Sequence, residues 1–324
     1  MRAVVVTQTG GPEVLVAQDL PTPDPGPGEL RVDVAAAGVN FIDVYYRTGA
    51  YPMKTPFIAG SEGAGVISAV GSGVTDFQEG DHVAWAMVPG AGYAQQVIVP
   101  GARAVPVPAG IEDETAAAVL LQGLTVHYLT RSTYPAQRGE TALVHAAAGG
   151  VGLLLTQVLT SMGVRVIATT STPDKAALAV NAGAADVIRY DKDDVAAEVS
   201  RLTGARGVDV VYDGVGRTTF DGSIDSLHPR GMLVSYGSAS GKVPAVEPML
   251  LTSKGSLFFT RPSLAHYVAT RAELLERTRE LFGWIATGQL SVRVGARYTL
   301  DQAQQAHTDL ESRLTTGKSL IIPG

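Results

Sequence analysis

The run from Thr141 to Leu159, TALVHAAAGGVGLLLTQVL, constrains this chain more than any other. A strand-like stretch, Ala142 to His145, leads into Ala146-Ala147-Ala148-Gly149-Gly150-Val151-Gly152, and a helix-like stretch follows at once. Strand, glycine-rich turn and helix start form the entry that holds a dinucleotide pyrophosphate. Small residues let the backbone approach the phosphates. The helix N-terminus adds unpaired N–H groups and the positive end of its dipole. Ala147 stands where the first glycine of G-x-G-x-x-G would be; Gly149 and Gly152 hold the other two.

A glycine turn also fits a ligand-free βα junction, so context decides. Apolar runs then alternate with helical stretches: VRVIATT, PDKAALAVNAGA, DVIRY, DVAAEVSRLTG, VDVVYDGV, TFDGSIDSLH, GMLVSYG and GSLFFT, ending at Thr260. That alternation predicts a doubly wound parallel sheet, with the glycine turn at its first βα junction, where such sheets bind nucleotides.

NAD-binding sheets usually carry Asp or Glu roughly 20 residues past the glycines, for the ribose 2′-OH. Here the second strand runs into Thr169-Thr170-Ser171-Thr172-Pro173-Asp174-Lys175. Small hydroxyls accommodate a 2′-phosphate, Lys175 adds a point charge, and Tyr190 ends the next strand. NADPH is therefore favoured over NADH. A second reading makes Ser171 and Thr172 helix caps with Pro173 in the first turn; the two are compatible.

Length and composition bound the rest. A chain of 324 residues with 45% hydrophobic and 17% charged residues suits a two-domain globular enzyme. The net charge of −6 weighs against a nucleic-acid surface. The absence of cysteine excludes disulfides, a thiolate nucleophile and a thiolate zinc site. No apolar run reaches membrane-spanning length and the start does not read as a signal peptide, so the cytoplasm is expected.

The first 120 or so residues read as an irregular, mainly β domain, with short strand-like runs between turns and a proline-rich loop, PTPDPGPGE. One helical stretch, Phe41 to about Arg47, interrupts it. The tail reads as one amphipathic helix, LAHYVATRAELLERTRELFGWIATG, then strand, helix and a final strand, KSLIIP, returning to the first domain. The expected domains are 1–122, 123–262 for the nucleotide fold, and 263–324 for the returning tail.

GVNFIDVYYRTGAYP, GLTVHYL, HAAAGGVG, VVYDGVG, VSYGSASG, FFTRPSL and LESRLTTGKSLIIP resemble the zinc-free quinone oxidoreductase branch of the medium-chain dehydrogenases/reductases. The resemblance covers essentially the full chain. It implies a GroES-like irregular β-barrel catalytic domain joined to a Rossmann domain. Asn40 stands where zinc alcohol dehydrogenases carry a cysteine ligand, and Gly60-Ser61-Glu62 replaces a Gly-His-Glu segment that supplies a histidine ligand. Glu62 alone cannot hold zinc, so no metal is expected.

The resemblance further implies that Asn40, Tyr45 and Tyr51 line the acceptor cleft, with Asn40 and Thr125 near the nicotinamide. Tyr45 and Tyr51 also read as packing residues; six positions apart, they converge only if the chain turns near Gly49. Thr125 also reads as an ordinary helix threonine, Gln122 has no assigned role, and His127 reads as packed or solvated. On the cofactor side the resemblance points to Gly149, Gly150, Val151 and Gly152 at the pyrophosphate. Ser171, Lys175 and Tyr190 fall at the 2′-phosphate, and Val215, Gly237 and Ser238 at later strand ends. Phe259 to Pro262, including Arg261, would frame the nicotinamide. Arg313 reaches the cofactor or is a solvated helix-end arginine. The expected reaction is NADPH-dependent quinone reduction. The rivals are reduction of α,β-unsaturated carbonyls and a non-catalytic NADPH- or RNA-binding role. A homodimer is expected through GSLFFT, an apolar sheet edge.

Overall fold

The computed structural model describes residues 1–324, which fall into two compact units. The first comprises Met1–Leu124, Val268–Thr287 and Val292–Gly324; the second comprises Thr125–Tyr267 and Gly288–Ser291.

In the first unit, β1 (Arg2–Val6) pairs with β2 (Leu15–Asp19) and, after β3 (Glu29–Val39) and α1 (Phe41–Arg47), with β4 (Phe57–Ile58). The strands β5 (Glu62–Val70) and β7 (Gln96–Pro100) pair with β3, β6 (His82–Ala86) pairs with β5 and β8 (Val105–Pro106) with β6, before α2 (Asp113–Tyr128) carries the chain into the second unit. Bulges break the β3–β5 ladder at Arg31/Val32 and Val34/Ala36, the device by which a long strand bends around a barrel-like core. Leu30, Val32, Ile67, Trp85 and Tyr93 fill that core, and the Trp85 indole N–H donates to the Ala91 carbonyl at 2.6 Å.

The second unit is a six-stranded parallel sheet: β9 (Thr141–Val144), β10 (Arg165–Thr170), β11 (Asp186–Arg189), β12 (Val208–Asp213), β13 (Leu227–Ser235) and β14 (Phe258–Thr260), in the order β11-β10-β9-β12-β13-β14. The strand order reverses beside β9, and that switch point is where a doubly wound sheet opens a ligand crevice. The crossovers include α3 (Gly150–Ser161), α4 (Pro173–Asn181), α5 (Val195–Leu202), α6 (Phe220–Asp225) and α7 (Pro248–Ser253).

Two boundaries differ from the sequence reading. The helical run expected through His228 stops at Asp225, and β13 already begins at Leu227. The tail is not one helix: α8 (Leu264–Tyr267) ends, and α9 (Arg271–Ala286) starts afresh. Thr270 accepts the Glu273 N–H at 3.2 Å, and the Glu273 carboxylate accepts the Thr270 N–H at 3.1 Å. This reciprocal capping makes a new helix start more favourable than continuation. Finally β15 (Val294–Tyr298), α10 (Ala303–Glu311) and β16 (Lys318–Ile321) return to the first unit, with β16 lying between β15 and β3.

Candidate functional site

In the second unit the turn after β9 is tight, with Ala146 in the left-handed region at φ 50°. The N–H groups of Gly150, Val151 and Gly152 belong to the first turn of α3, where a helix supplies no partner of its own. A Cβ on Gly152 would overlap the Ala146 carbonyl and sit 2.6 Å from the Ala147 Cα, so only glycine lets α3 start this close to the turn. At the end of β10, Thr172 caps α4 by accepting the Lys175 N–H at 3.3 Å. The Tyr190 N–H donates to the Thr170 carbonyl at 3.1 Å, which brings Tyr190 level with Thr170 and Ser171.

Asp213, which sequence reasoning passed over, shapes the end of β12. Its carboxylate accepts the N–H groups of Val215 (2.7 Å) and Gly216 (3.0 Å) and the hydroxyls of Thr219 (2.6 Å) and Ser223 (2.9 Å). Since the Ser223 proton goes to Asp213, its oxygen accepts from His145 Nε2, and His145 Nδ1 accepts from the Thr169 hydroxyl at 3.1 Å. Burial pushes the His145 pKa down, with Asp213 opposing. The histidine thus acts as a neutral strut between two strand ends. A Cβ on Gly237 would overlap the Gly214 carbonyl and lie 2.8 Å from the Gly214 Cα, which packs the ends of β12 and β13 together. Arg261 donates to the Ser235 carbonyl at 2.9 Å and approaches the Ser238 hydroxyl at 3.4 Å. Phe259, expected beyond the last strand, lies inside β14, its ring edge-on to Phe220 at 6.0 Å within the core.

The fit of this edge to a nucleotide rests on unmet polar atoms as well as on glycine. The hydroxyls of Thr170 and Ser235 are buried without a hydrogen-bond partner, and each is the last residue of its strand. Buried hydroxyls left unpaired are costly, so polar groups at a ligand edge await a polar ligand.

The first unit holds a second cluster where β3 runs into α1. Asn40, Glu62 and Lys318 are all buried. Lys318 Nζ donates to Glu62 Oε2 at 2.5 Å and to Asn40 Oδ1 at 2.7 Å, and Asn40 Nδ2 donates to the same Glu62 oxygen at 2.8 Å. Glu62 Oε1 accepts the Leu121 N–H at 2.6 Å. Next to Leu121, the Gln122 Oε1 is buried without a partner.

Asp43, also buried, accepts the Asn40 N–H (3.0 Å), the Ser61 hydroxyl (2.7 Å) and, weakly, the Tyr93 hydroxyl (3.4 Å). Arg47 can only donate, so His307 Nδ1 accepts from it at 3.2 Å and His307 Nε2–H donates to Tyr93 at 3.1 Å. Arg47 closes the chain with two 2.9 Å bonds to Glu311. Burial, reinforced by Arg47, holds the His307 pKa down at about 3. Burial outweighs the hydrogen bonds at Asp43 and pushes its pKa up to about 7.

The same short helix carries Tyr45 and Tyr46, and Tyr51 follows just beyond its end. Gly49 turns the chain at φ 77°, and the Tyr51 N–H donates to the Tyr45 carbonyl at 3.0 Å. The two rings meet at 5.1 Å, the convergence that the glycine permits. Tyr46, which sequence reasoning missed despite its place beside Tyr45, stands edge-on to Tyr51 at 6.1 Å. Thr125 is buried in α2, and Arg313 is exposed past the end of α10 at φ 59°.

A doubly wound sheet with this glycine turn, in a chain that also holds a barrel-like unit with a buried polar cluster, defines a nucleotide-dependent dehydrogenase or reductase architecture. Two family models match the chain: the alcohol dehydrogenase GroES-like domain over residues 26–109 and the zinc-binding dehydrogenase model over residues 150–284. A quinone oxidoreductase of Pseudomonas aeruginosa is 47% identical over 97% of both chains. A mycobacterial protein solved with NADPH superposes with a TM-score of 0.96 at 50% identity, and Escherichia coli quinone oxidoreductase solved with NADPH with 0.96 at 44%, each covering 100% of both chains. The chain belongs to the quinone oxidoreductase family of the medium-chain dehydrogenases/reductases.

The raised Asp43 pKa sets a pH dependence. The unfolded carboxyl titrates near 3.8 and the folded one near 7, so the folded chain binds this proton more tightly. Asp43's contribution to stability is complete below the unfolded value and is lost as pH rises through 7. Asp43→Asn cannot ionise. The stability difference between wild type and this variant, from urea midpoints, is expected to shift against wild type as pH rises from about 4 to 8.

Proposed function

We propose that this chain reduces quinones with NADPH and without a metal ion. The observation that carries the reading is the carboxyl edge of the parallel sheet. Its first turn is closed by Gly152, and its second strand ends in hydroxyls where an NAD-binding sheet has a carboxylate. The similar proteins solved with NADPH support it.

In this reading the N–H groups of Gly150 and Val151, with Gly149 and Gly152 shaping the turn, hold the pyrophosphate. Ser171, Lys175 and Tyr190 hold the 2′-phosphate. Val215, Gly237, Ser238 and Arg261 serve the nicotinamide half, with Asn40, Thr125 and Arg313, while Phe259, its ring packed against Phe220, supports the end of β14 from which Arg261 follows. NADPH, when bound, supplies the reducing equivalents. The protein orients and excludes water. The Tyr45 and Tyr51 rings offer flat surfaces to a flat acceptor, and a hydroxyl there stabilises oxygen as it gains charge. Glu62 is neutralised by Lys318, and residues 40 and 61 offer an amide and a hydroxyl, a poor donor set for zinc. Reduction of an acceptor that is already electron-poor needs no Lewis acid.

We also place the protein in the cytoplasm as a homodimer. No helix is long and apolar enough to cross a membrane, and a chain with no cysteine has no need of an oxidising compartment. β14 ends the sheet, and its Phe258 is 56% exposed, an apolar edge suited to pairing with a second copy.

Three measurements test these readings. NADPH oxidation with 1,4-benzoquinone, 9,10-phenanthrenequinone and crotonaldehyde, with and without chelator, is expected to show chelator-insensitive turnover of the quinones. Preferential turnover of the enal, or none of any acceptor, overturns it. Lys175→Ala is expected to raise the KM for NADPH roughly tenfold or more and leave that for NADH unchanged, from the loss of one charge-assisted bond of about 1.5–3 kcal/mol. Light scattering is expected to give a dimer for wild type and a monomer for Phe258→Lys.

A further inference from the structure

The Asn40 carboxamide is bonded at both its oxygen and its nitrogen, and its partners dictate which way it faces. Lys318 Nζ can only donate, so the atom 2.7 Å from it is the amide oxygen. The ionised Glu62 can only accept, so the atom 2.8 Å from it is the amide nitrogen. The usual ambiguity between the two ends of an Asn side chain is thus resolved by chemistry. The second amide hydrogen points to the Gly38 carbonyl at 3.2 Å. Both hydrogens are spent, so only the oxygen, whose one side-chain partner is Lys318, can serve a further group, and only as an acceptor.

We propose that Lys318 is a positioning residue: its ammonium, buried against Glu62, fixes Asn40 as a group that can accept a hydrogen bond from a ligand but cannot donate one. An acceptor recognises an amide N–H₂ or a ribose hydroxyl, both present on a nicotinamide nucleoside. It does not serve a quinone oxygen, which is itself an acceptor. Asn40 therefore works on the cofactor, and donors to the quinone come from other side chains. This deepens the proposed reading of the site and rests on Asn40 meeting the nicotinamide end.

Three features make the device specific. Burying a Lys–Glu pair costs more desolvation than its attraction reliably returns, so its value lies in geometry. Lys318 and Glu62 have 1% and 0% of their side chains exposed, so water does not loosen the pair. A Cβ on Gly38 would overlap Glu62 Oε2 and sit 2.7 Å from Lys318 Nζ, so the backbone of β3 is shaped around the pair.

The test uses the double variant Lys318→Met with Glu62→Gln, which removes both charges at once and leaves neither buried alone. The first readout needs no cofactor: water exchange of the Asn40 side-chain N–H₂, observed by ¹⁵N NMR and assigned by its loss in Asn40→Asp. Exchange is expected to be slow in wild type and at least tenfold faster in the double variant, where the residue stays buried but unfixed. The second readout is turnover. kcat/KM for a quinone is expected to fall at least tenfold and the KM for NADPH to rise, while the Kd of adenosine 2′,5′-bisphosphate, which lacks the nicotinamide, stays unchanged. Fast exchange in wild type overturns the proposal without any variant. Equal exchange and equal kcat/KM in a folded double variant overturn it too. Slow wild-type exchange in a protein that turns over no quinone would instead overturn the functional reading and leave the positioning intact.

Discussion

The carboxylate of Glu62 is the constraint on which the first unit turns. It sits at the start of β5 with no exposed surface and receives an ammonium from β16, an amide from the end of β3 and a backbone N–H from α2. A buried charge missing any of these partners would be severely destabilising, because its desolvation would be uncompensated. Four segments far apart in sequence must therefore arrive at one point. The returning tail is what makes this possible: β16 is buried along its length, and Lys318 reaches the cluster only because the strand inserts beside β3. Asn40 ends β3 and begins α1, so fixing it also fixes where the tyrosine-bearing helix starts.

The second unit is governed by direction rather than by a single charge. In a parallel sheet every strand delivers its carboxyl end to the same edge. Backbone turns, helix N-termini and strand-terminal side chains gather there. Asp213 and His145 show how that edge is held still. One carboxylate takes two amides and two hydroxyls, and a neutral histidine passes from Ser223 to Thr169. Among the buried side-chain nitrogens and oxygens of this unit, only the hydroxyls of Thr170 and Ser235 lack a partner. Both unpaired hydroxyls end their strands at the carboxyl edge of the sheet, the edge where doubly wound sheets bind ligands.

Local signals were legible in the sequence; long-range polar pairings were not. The glycine turn, the alternating runs and the short helix from Phe41 to Arg47 are written in adjacent residues, and the structure has them where they were read. The break at Thr270 was written too, as Thr270 with Glu273 three residues on, but the surrounding hydrophobic period concealed it. The early start of β13 had no such signal, since Leu227 and His228 continue a helix pattern as easily as they open a strand. Lys318 could not be found at all from sequence, because its partner Glu62 is 256 positions away and a lysine near a terminus reads as solvated. His307 and Asp43 share that blindness: their link through Tyr93 exists only in the fold.

The two clusters of the first unit divide the polar chemistry in a way that bears on the reaction. Asn40, Glu62 and Lys318 are bonded to one another, with both Asn40 amide hydrogens engaged. Around Asp43 the chain of bonds runs from Arg47 through His307 and Tyr93 and points its protons inward to the carboxylate. Both arrangements consume hydrogen-bond donors, and both include residues at or on α1, which carries Tyr45; its ring meets that of Tyr51, beyond the Gly49 turn, at 5.1 Å. A reducible ring that draws electrons needs a donor at its oxygen only as charge develops. Donors fixed on buried carboxylates cannot compete for that oxygen. In the proposed reading the acceptor meets the Tyr45 and Tyr51 rings instead, and the start of the helix that carries Tyr45 is held by Asn40 and the lysine pair.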